Sequence, residues 1–177
     1  MRIAFYLAIL ISLLLLSCNS EPTLQKYFVE NSEKKSFVAL DVSSSILNIE
    51  KTKLTAEQKI ALASFEKMNI LAFKLDKTNQ AEYAIESQKV TQILKGKDYQ
   101  ELMKVGSGKD GASVSFVGDE NNIDEFILFA KQKENGFAVV RILGNNMNPN
   151  NIMNMISLLN SSNLDMEQLK PLQQLFK

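Results

Sequence analysis

The chain of 177 residues contains no histidine and no tryptophan, and it has a single cysteine. Without histidine, neither a Ser-His-Asp nor a Cys-His catalytic arrangement can form, and the usual imidazole zinc sites are excluded. Without tryptophan, a sugar-binding aromatic platform would depend on four tyrosines and ten phenylalanines. One cysteine cannot build a disulfide framework. We therefore predict a protein that is not an enzyme and that holds no cofactor and no metal.

Excess charge of either sign is also lacking. The 20 basic and 20 acidic residues balance, so the formal net charge at pH 7 is zero. A nucleic-acid-binding domain needs a basic patch or stripe. The sequence therefore predicts no nucleic-acid partner.

The single cysteine, Cys18, lies at the end of an uncharged apolar N-terminal run, and Arg2 is the only charged residue before it. The run spans about 14 residues, fewer than the roughly 20 that a membrane-crossing helix needs. A positive start, a short apolar stretch and a small residue before the cut are typical of a secretory signal. Leu15-Leu16-Ser17-Cys18 fits a lipobox, which predicts cleavage between Ser17 and Cys18 and lipidation of Cys18. An uncleaved anchor helix, or an ordinary signal with a chance cysteine, is the alternative.

These residues divide the chain into a signal peptide (1–17), a lipidated tether (18–22) and a single domain (23–177). More than one acyl chain gives stable anchoring, and a tether of about four residues reaches only about 15 Å. Asn19 follows the cysteine in place of the aspartate that retains many lipoproteins in the inner membrane. The tether also lacks an acidic run. We expect a protein bound to the membrane through Cys18, at the periplasmic face of the outer membrane, with a further envelope protein as its partner.

Apolar spacing along residues 23–177 predicts an α+β fold. We expect an antiparallel-rich or mixed sheet of about six strands, with helices packed mainly on one face. The predicted helices cover 23–32, 55–68 and 80–95, and two more follow Asn148-Pro149 and Asp165. The predicted strands cover 36–42, 69–76, 99–105, 112–118, 123–131 and 137–143.

The residues that suggest chemistry each have a structural alternative. Arg141, the only arginine after Arg2, lies in an apolar strand and is either paired with Glu125 or Glu101 or free to contact an anion. The sequence 106–111 contains Gly-Ser-Gly-Lys but lacks the first glycine and the final Ser or Thr of a phosphate-binding loop, which favours a hairpin turn. The methionines of 147–155 and the oxygen-rich turn 119–122 suggest copper and calcium sites, but their spacing favours core packing and a polar turn.

Two further functions stay open beside the protein-binding one. A pocket between sheet and helices for a small ligand or lipid would be lined by phenylalanines, namely Phe116, Phe126, Phe129 and Phe137. An enzyme would have to use carboxylates, or serines such as those of 43–45 together with a lysine. No spacing in the sequence favours the enzyme.

Several strand segments resemble a family of small lipoproteins common in Bacteroidetes, Domain of Unknown Function 4252. The similar segments are 99–105 (YQELMKV), 111–114 (GASV), 124–128 (DEFIL) and 136–144 (GFAVVRILG), with 24–28 (LQKYF) and 37–41 (FVALD) upstream. The resemblance implies a cell-envelope lipoprotein but no established activity and no functional residues. Genes of such proteins often lie beside extracytoplasmic sigma-factor systems, which implies a role in envelope stress.

Overall fold

The computed structural model describes residues 21–43, 54–108, 110–150 and 153–154. Within these residues the chain forms three helices and six strands. The helices are α1 (Leu24–Asn31), α2 (Ala56–Ser64) and α3 (Gln80–Ile93). The strands are β1 (Phe37–Ser43), β2 (Phe65–Lys74), β3 (Gln100–Ser107), β4 (Asp110–Asp119), β5 (Asn122–Gln132) and β6 (Gly136–Met147).

The six strands form one sheet in the order β1-β2-β6-β5-β4-β3. Every neighbouring pair is antiparallel. Strands β3 to β6 follow one another through short turns, and β6 then pairs with β2 on its other side. The predicted α+β fold with a six-stranded, antiparallel-rich sheet is confirmed.

Local side-chain hydrogen bonds set the starts of the first two helices. The Thr23 hydroxyl accepts a hydrogen bond from the Lys26 amide at the start of α1, and Thr55 with Gln58 forms a capping box at the start of α2. Each bond satisfies an amide that has no partner within the helix. Asn79 is the N-cap residue of α3, but its side chain makes no cap hydrogen bond to the helix and donates to the Lys74 carbonyl.

The boundary between α2 and β2 differs from the prediction. We expected the helix to continue to Met68, but it ends at Ser64 and β2 begins at Phe65, which pairs with Gly144 of β6. Ile60 is 63% exposed, whereas Ala61 is buried. Pairing with the last strand therefore overrides the local helical pattern, because the sheet hydrogen bonds and the burial of Phe65 are gained together.

The helices lie on both faces of the sheet. Face A is covered by α1 and α3, which pack Leu24, Tyr27, Val90 and Ile93 against the strands. Face B is covered at one end by α2, through Ala61. With two of the three described helices on face A, the expectation of helices mainly on one face is met.

The two predicted C-terminal helices lie largely outside the described residues. Helical backbone is present at 149–150 and at 153–154, after Met147. Met147 itself is buried on face B. The chain therefore leaves the sheet on the face B side.

Candidate functional site

The predicted cleavage and lipidation residues, Ser17 and Cys18, lie outside the described residues. In the part of the chain that the structure describes, no helix is long and apolar enough to cross a membrane. The described chain begins at Glu21, whose carboxylate lies 3.8 Å from the Lys97 amine. The tyrosine hydroxyl of Tyr99 accepts a hydrogen bond from the Leu24 amide at 3.0 Å. The start of α1 is thus fixed beside the start of β3, at one end of the sheet.

The structure brings Arg141 and Glu125 together on face A. Arg141 Nε donates to Glu125 Oε1 at 2.6 Å and Nη2 donates to Oε2 at 2.9 Å. Their side chains are only 6% and 13% exposed. Charge-assisted, two-point pairing of this kind is among the stronger hydrogen-bonding arrangements in proteins.

The same guanidinium connects the sheet to α1. Arg141 Nη1 donates to Gln25 Oε1 at 2.7 Å, and the guanidinium carbon lies 5.4 Å from the centroid of the Phe28 ring. All three guanidinium nitrogens have partners within the chain. The geometry therefore fits a structural ion pair that orients α1, and an anionic ligand would have to displace Glu125 or Gln25.

A second buried polar contact, which we did not predict from the sequence, joins α1 to α3. The Tyr27 hydroxyl donates to Glu86 Oε2 at 2.8 Å, and Lys89 pairs with the other carboxylate oxygen at 2.8 Å. Burial, reinforced by the hydrogen bond to Glu86, raises the pKa of Tyr27 well above its usual value. The sequence contains a signal for the burial of Glu86, because this residue lies on the same helical stripe as the buried residues Val90 and Ile93.

The glycine-rich segment is a hairpin turn between β3 and β4. Gly106 and Gly108 have φ of +76° and +66°, a conformation that side chains disfavour, and Lys109 lies outside the described residues. Met147 is buried in the core whereas Met153 is exposed, and Met155 is not described. Among the residues that the structure describes, no group of three or more acidic, histidine or cysteine side chains is placed to hold a metal.

The four phenylalanines expected around one pocket do not converge. Phe116 and Phe126 lie in the face B core, whereas Phe129 and Phe137 lie in the face A core. Because successive strand residues point to opposite faces, the odd and even positions of β5 and β6 are separated by the sheet. A single ligand pocket lined by all four is therefore not formed.

Face B carries an apolar surface that runs across the whole sheet. Two adjacent rows of residues, in register on all six strands, contain apolar side chains only. We name these twelve residues the open apolar face. Its large row is Leu40, Ile70, Val140, Leu128, Val114 and Met103, and its small row is Val38, Ala72, Ala138, Ala130, Ala112 and Val105.

Burial falls along face B away from α2. In the row nearest to α2, Phe116 and Phe126 are 4% and 0% exposed. In the large row, four of the six side chains are only partly buried, and Met103 is exposed. At the far end, a trough of about 610 Å³ lies over the small row. The described helices thus leave most of this apolar surface uncovered.

The open apolar face continues to β3, an edge of the sheet. Among the described residues β3 pairs with β4 alone, so no strand of the described part of the chain lies along its outer side. Three apolar side chains on this strand are exposed, with Leu102, Met103 and Val105 at 48%, 55% and 55%. Natural proteins usually protect edge strands against pairing, and an edge with apolar side chains is a site where another chain can add.

The part of the chain that forms the sheet matches a known protein family. A family model described as Domain of unknown function (DUF4252) matches residues 27–155, nearly three quarters of the chain and all six strands. The chain belongs to this family. No curated protein and no solved structure matches the chain at a significant level.

Proposed function

We propose that this DUF4252 protein is a lipid-anchored cell-envelope protein that binds a protein partner along β3 and carries out no catalysis. The observation that supports partner binding is the exposed apolar edge strand, with Met103 and Val105 on the face B side. The observation that supports anchoring is the lipobox ending at Cys18. The two are connected by the geometry of the sheet.

The anchor and the edge strand begin at the same end of the molecule. Cys18 is three residues from Glu21, a reach of about 10 Å when extended, and Glu21 lies beside Lys97 just before β3. Strand β3 then runs away from this end for eight residues. A lipid on Cys18 would therefore hold the start of β3 near the membrane and direct the rest of the strand into the periplasm.

The side chains of β3 indicate the kind of partner. An extended segment of another protein can add to a sheet edge through backbone hydrogen bonds, and pockets for alternate side chains give specificity. On β3 the apolar Met103 and Val105 share face B, while Glu101 and Lys104 share face A. The matching segment would have apolar residues at every second position and residues of both charges between them.

We further propose that the protein and its partner act in envelope stress. The resemblance of the chain to lipoproteins whose genes neighbour sigma-factor systems supports this role. The partner would then be a membrane-bound or periplasmic component of that signalling. A protein held at a fixed distance from the membrane suits such a role, because a short tether raises the local concentration of both partners.

The experiment is in vivo photo-crosslinking at the edge strand. A photoreactive residue is placed at Val105 in the tagged full-length chain, and a matched one at Val29, which is exposed on α1 at 69%. We expect a specific protein to be captured from Val105 and not from Val29. Met103→Lys with Leu102→Lys should abolish this capture, because two lysines on an edge disfavour pairing.

The anchor is tested in the same cells. Cys18→Ala should release the protein from the membrane fraction, end its labelling with a fatty-acid probe, and reduce capture at Val105. Equal capture at Val105 and Val29 would contradict binding along β3. Membrane retention of the Cys18→Ala variant would contradict lipid anchoring and favour an uncleaved anchor helix. If no partner is captured, a small apolar ligand becomes the better hypothesis, and native mass spectrometry would detect its mass.

A further inference from the structure

We infer that the open apolar face is covered by the C-terminal segment of the same chain, residues 155–177. This inference shares Met103 and Val105 with the proposed function, and the other ten residues of the open apolar face lie on the five remaining strands. It rests on three observations: the composition of the face, the point where the chain leaves it, and the pattern of the residues that follow.

The composition of the face requires a cover. All twelve of its side chains are apolar, and monomeric proteins rarely leave contiguous apolar patches of more than a few hundred Å² in water. Face A meets the same requirement with two helices, α1 and α3. Six strands span about 24 Å from edge to edge, and a helix covers about 10 Å of that width, so face B also needs two helices beside one another.

The chain leaves the sheet on the side of the open apolar face. Met147, the last residue of β6, is buried in the face B core with Phe126 and Ile142. Helical backbone follows at 149–150 and 153–154. A helix begun here starts on the uncovered side of the sheet, next to the central strand β6.

The pattern of the following residues supplies two apolar stripes. The first contains Ile152, Met155, Ile156 and Leu159, and the second contains Leu169, Leu172, Leu175 and Phe176. The polar sequence 160–163 (NSSN) separates them and fits a turn. Met153 lies between the positions of the first stripe and is 66% exposed, as a residue on the solvent side of such a helix should be.

The distance to the large row fits this arrangement. Ile123, the partner of Met147, lies five residues from Leu128 of the large row and seven from Ala130 of the small row, which is about 17 Å and about 23 Å along the strand. A helix of 12 residues is about 18 Å long, so the first helix reaches the large row. Alanines at four positions of the small row, Ala72, Ala138, Ala130 and Ala112, let a helix backbone approach closely.

The test measures how fast a thiol-reactive maleimide reaches a cysteine introduced at Val140, the centre of the large row, in the full chain. The wild-type chain gives the background from Cys18. Ala39→Cys, exposed on face A, is the matched control. We expect Val140→Cys to react slowly, and to react at least about tenfold faster when Ile156→Asp and Leu172→Asp are added, a factor equivalent to about 1.4 kcal/mol.

The inference predicts no change with Met153→Asp, the matched substitution on the exposed side, and no change at Ala39→Cys in any background. Equal rates at Val140 in all backgrounds would overturn it. Protection that disappears on dilution would assign the cover to a second copy of the chain, and protection that survives both aspartates would assign it to another partner.

A second measurement does not depend on destabilised variants. Full-length chains with cysteine pairs are oxidised in the envelope fraction, with Val140→Cys combined with either Ile156→Cys or Met153→Cys. We expect a disulfide with position 156 and not with position 153. Absence of both disulfides, or equal formation of the two, would overturn the inference.

Discussion

Removing one member of the buried Arg141–Glu125 pair should destabilise the protein more than removing both. Glu125→Leu leaves the guanidinium buried with Gln25 and Phe28 as its partners. Loss of one partner of a buried ion pair lowers the free energy of unfolding by about 3–5 kcal/mol. Because Arg141 keeps its hydrogen bond to Gln25, we expect a loss at the lower end of this range, about 3 kcal/mol. The double variant Arg141→Met with Glu125→Leu removes both charges and should cost less than either single change.

Urea unfolding measures this difference. With a slope of about 2 kcal/mol per molar urea for a domain of this size, the Glu125→Leu variant should unfold at a midpoint about 1.5 M lower. Hydrogen exchange should show faster exchange of the α1 amides in the single variant, because Gln25 and Phe28 belong to that helix.

An exposed pair provides the control. Glu101 and Lys104 lie 4.0 Å apart with side chains 55% and 63% exposed, and exposed pairs contribute less than about 1 kcal/mol. Glu101→Leu should therefore shift the midpoint little. The reasoning is refuted if the free-energy changes of Arg141→Met and Glu125→Leu add in the double variant, since additivity means that the two side chains do not interact.

Three further changes probe single positions. The Gly136→Ala variant should unfold at a much lower urea concentration, because φ is +115° and the added Cβ would lie 2.0 Å from the Phe73 carbonyl oxygen. Gly108 has open space around it, so Gly108→Ala should lower the free energy of unfolding by only about 1 kcal/mol. Tyr27→Phe should make the stability of the protein less sensitive to alkaline pH. The pKa of Tyr27 in the folded protein is raised above the usual value of 10.0, so its contribution to the free energy of unfolding is complete below pH 10 and decreases as the pH rises above that. Melting temperatures from pH 8 to 11, measured for both proteins, test this. Thr55→Ala should lower the free energy of unfolding by about 1 kcal/mol through loss of the capping box, and no change in the urea midpoint would contradict that role.

Much of the fold was accessible to sequence reasoning because its signals are local. Apolar alternation in β4, and the Asn-Gly pair at 135–136 between β5 and β6, are local signals of strands joined by short turns. The end of α2 was not accessible, because Phe65 fits a helical stripe as well as a strand. Only its pairing with Gly144, 79 residues away, decides between the two.

The candidate site shows the same limit. Glu125 was among the expected partners of Arg141, since both lie in strands with predictable faces. The open apolar face was not foreseen, because each strand contributes only two of its residues. Ala72, Ala138, Ala130 and Ala112 form a row only once the register of four strands is known, and a shift of one residue would move each of them to the other face.

The position of β6 in the sheet has a consequence for how the chain folds. This strand is the last of the six along the chain, yet it lies between β2 and β5. Until β6 is in place, no strand pairing joins β1 and β2 to β3, β4 and β5. The pairing of Phe65 with Gly144 closes a loop of 79 residues. Long-range contacts of this kind slow folding. A ribosome-bound chain would therefore hold two incomplete half-sheets with open inner edges, and the molecule would become stable in a single late step.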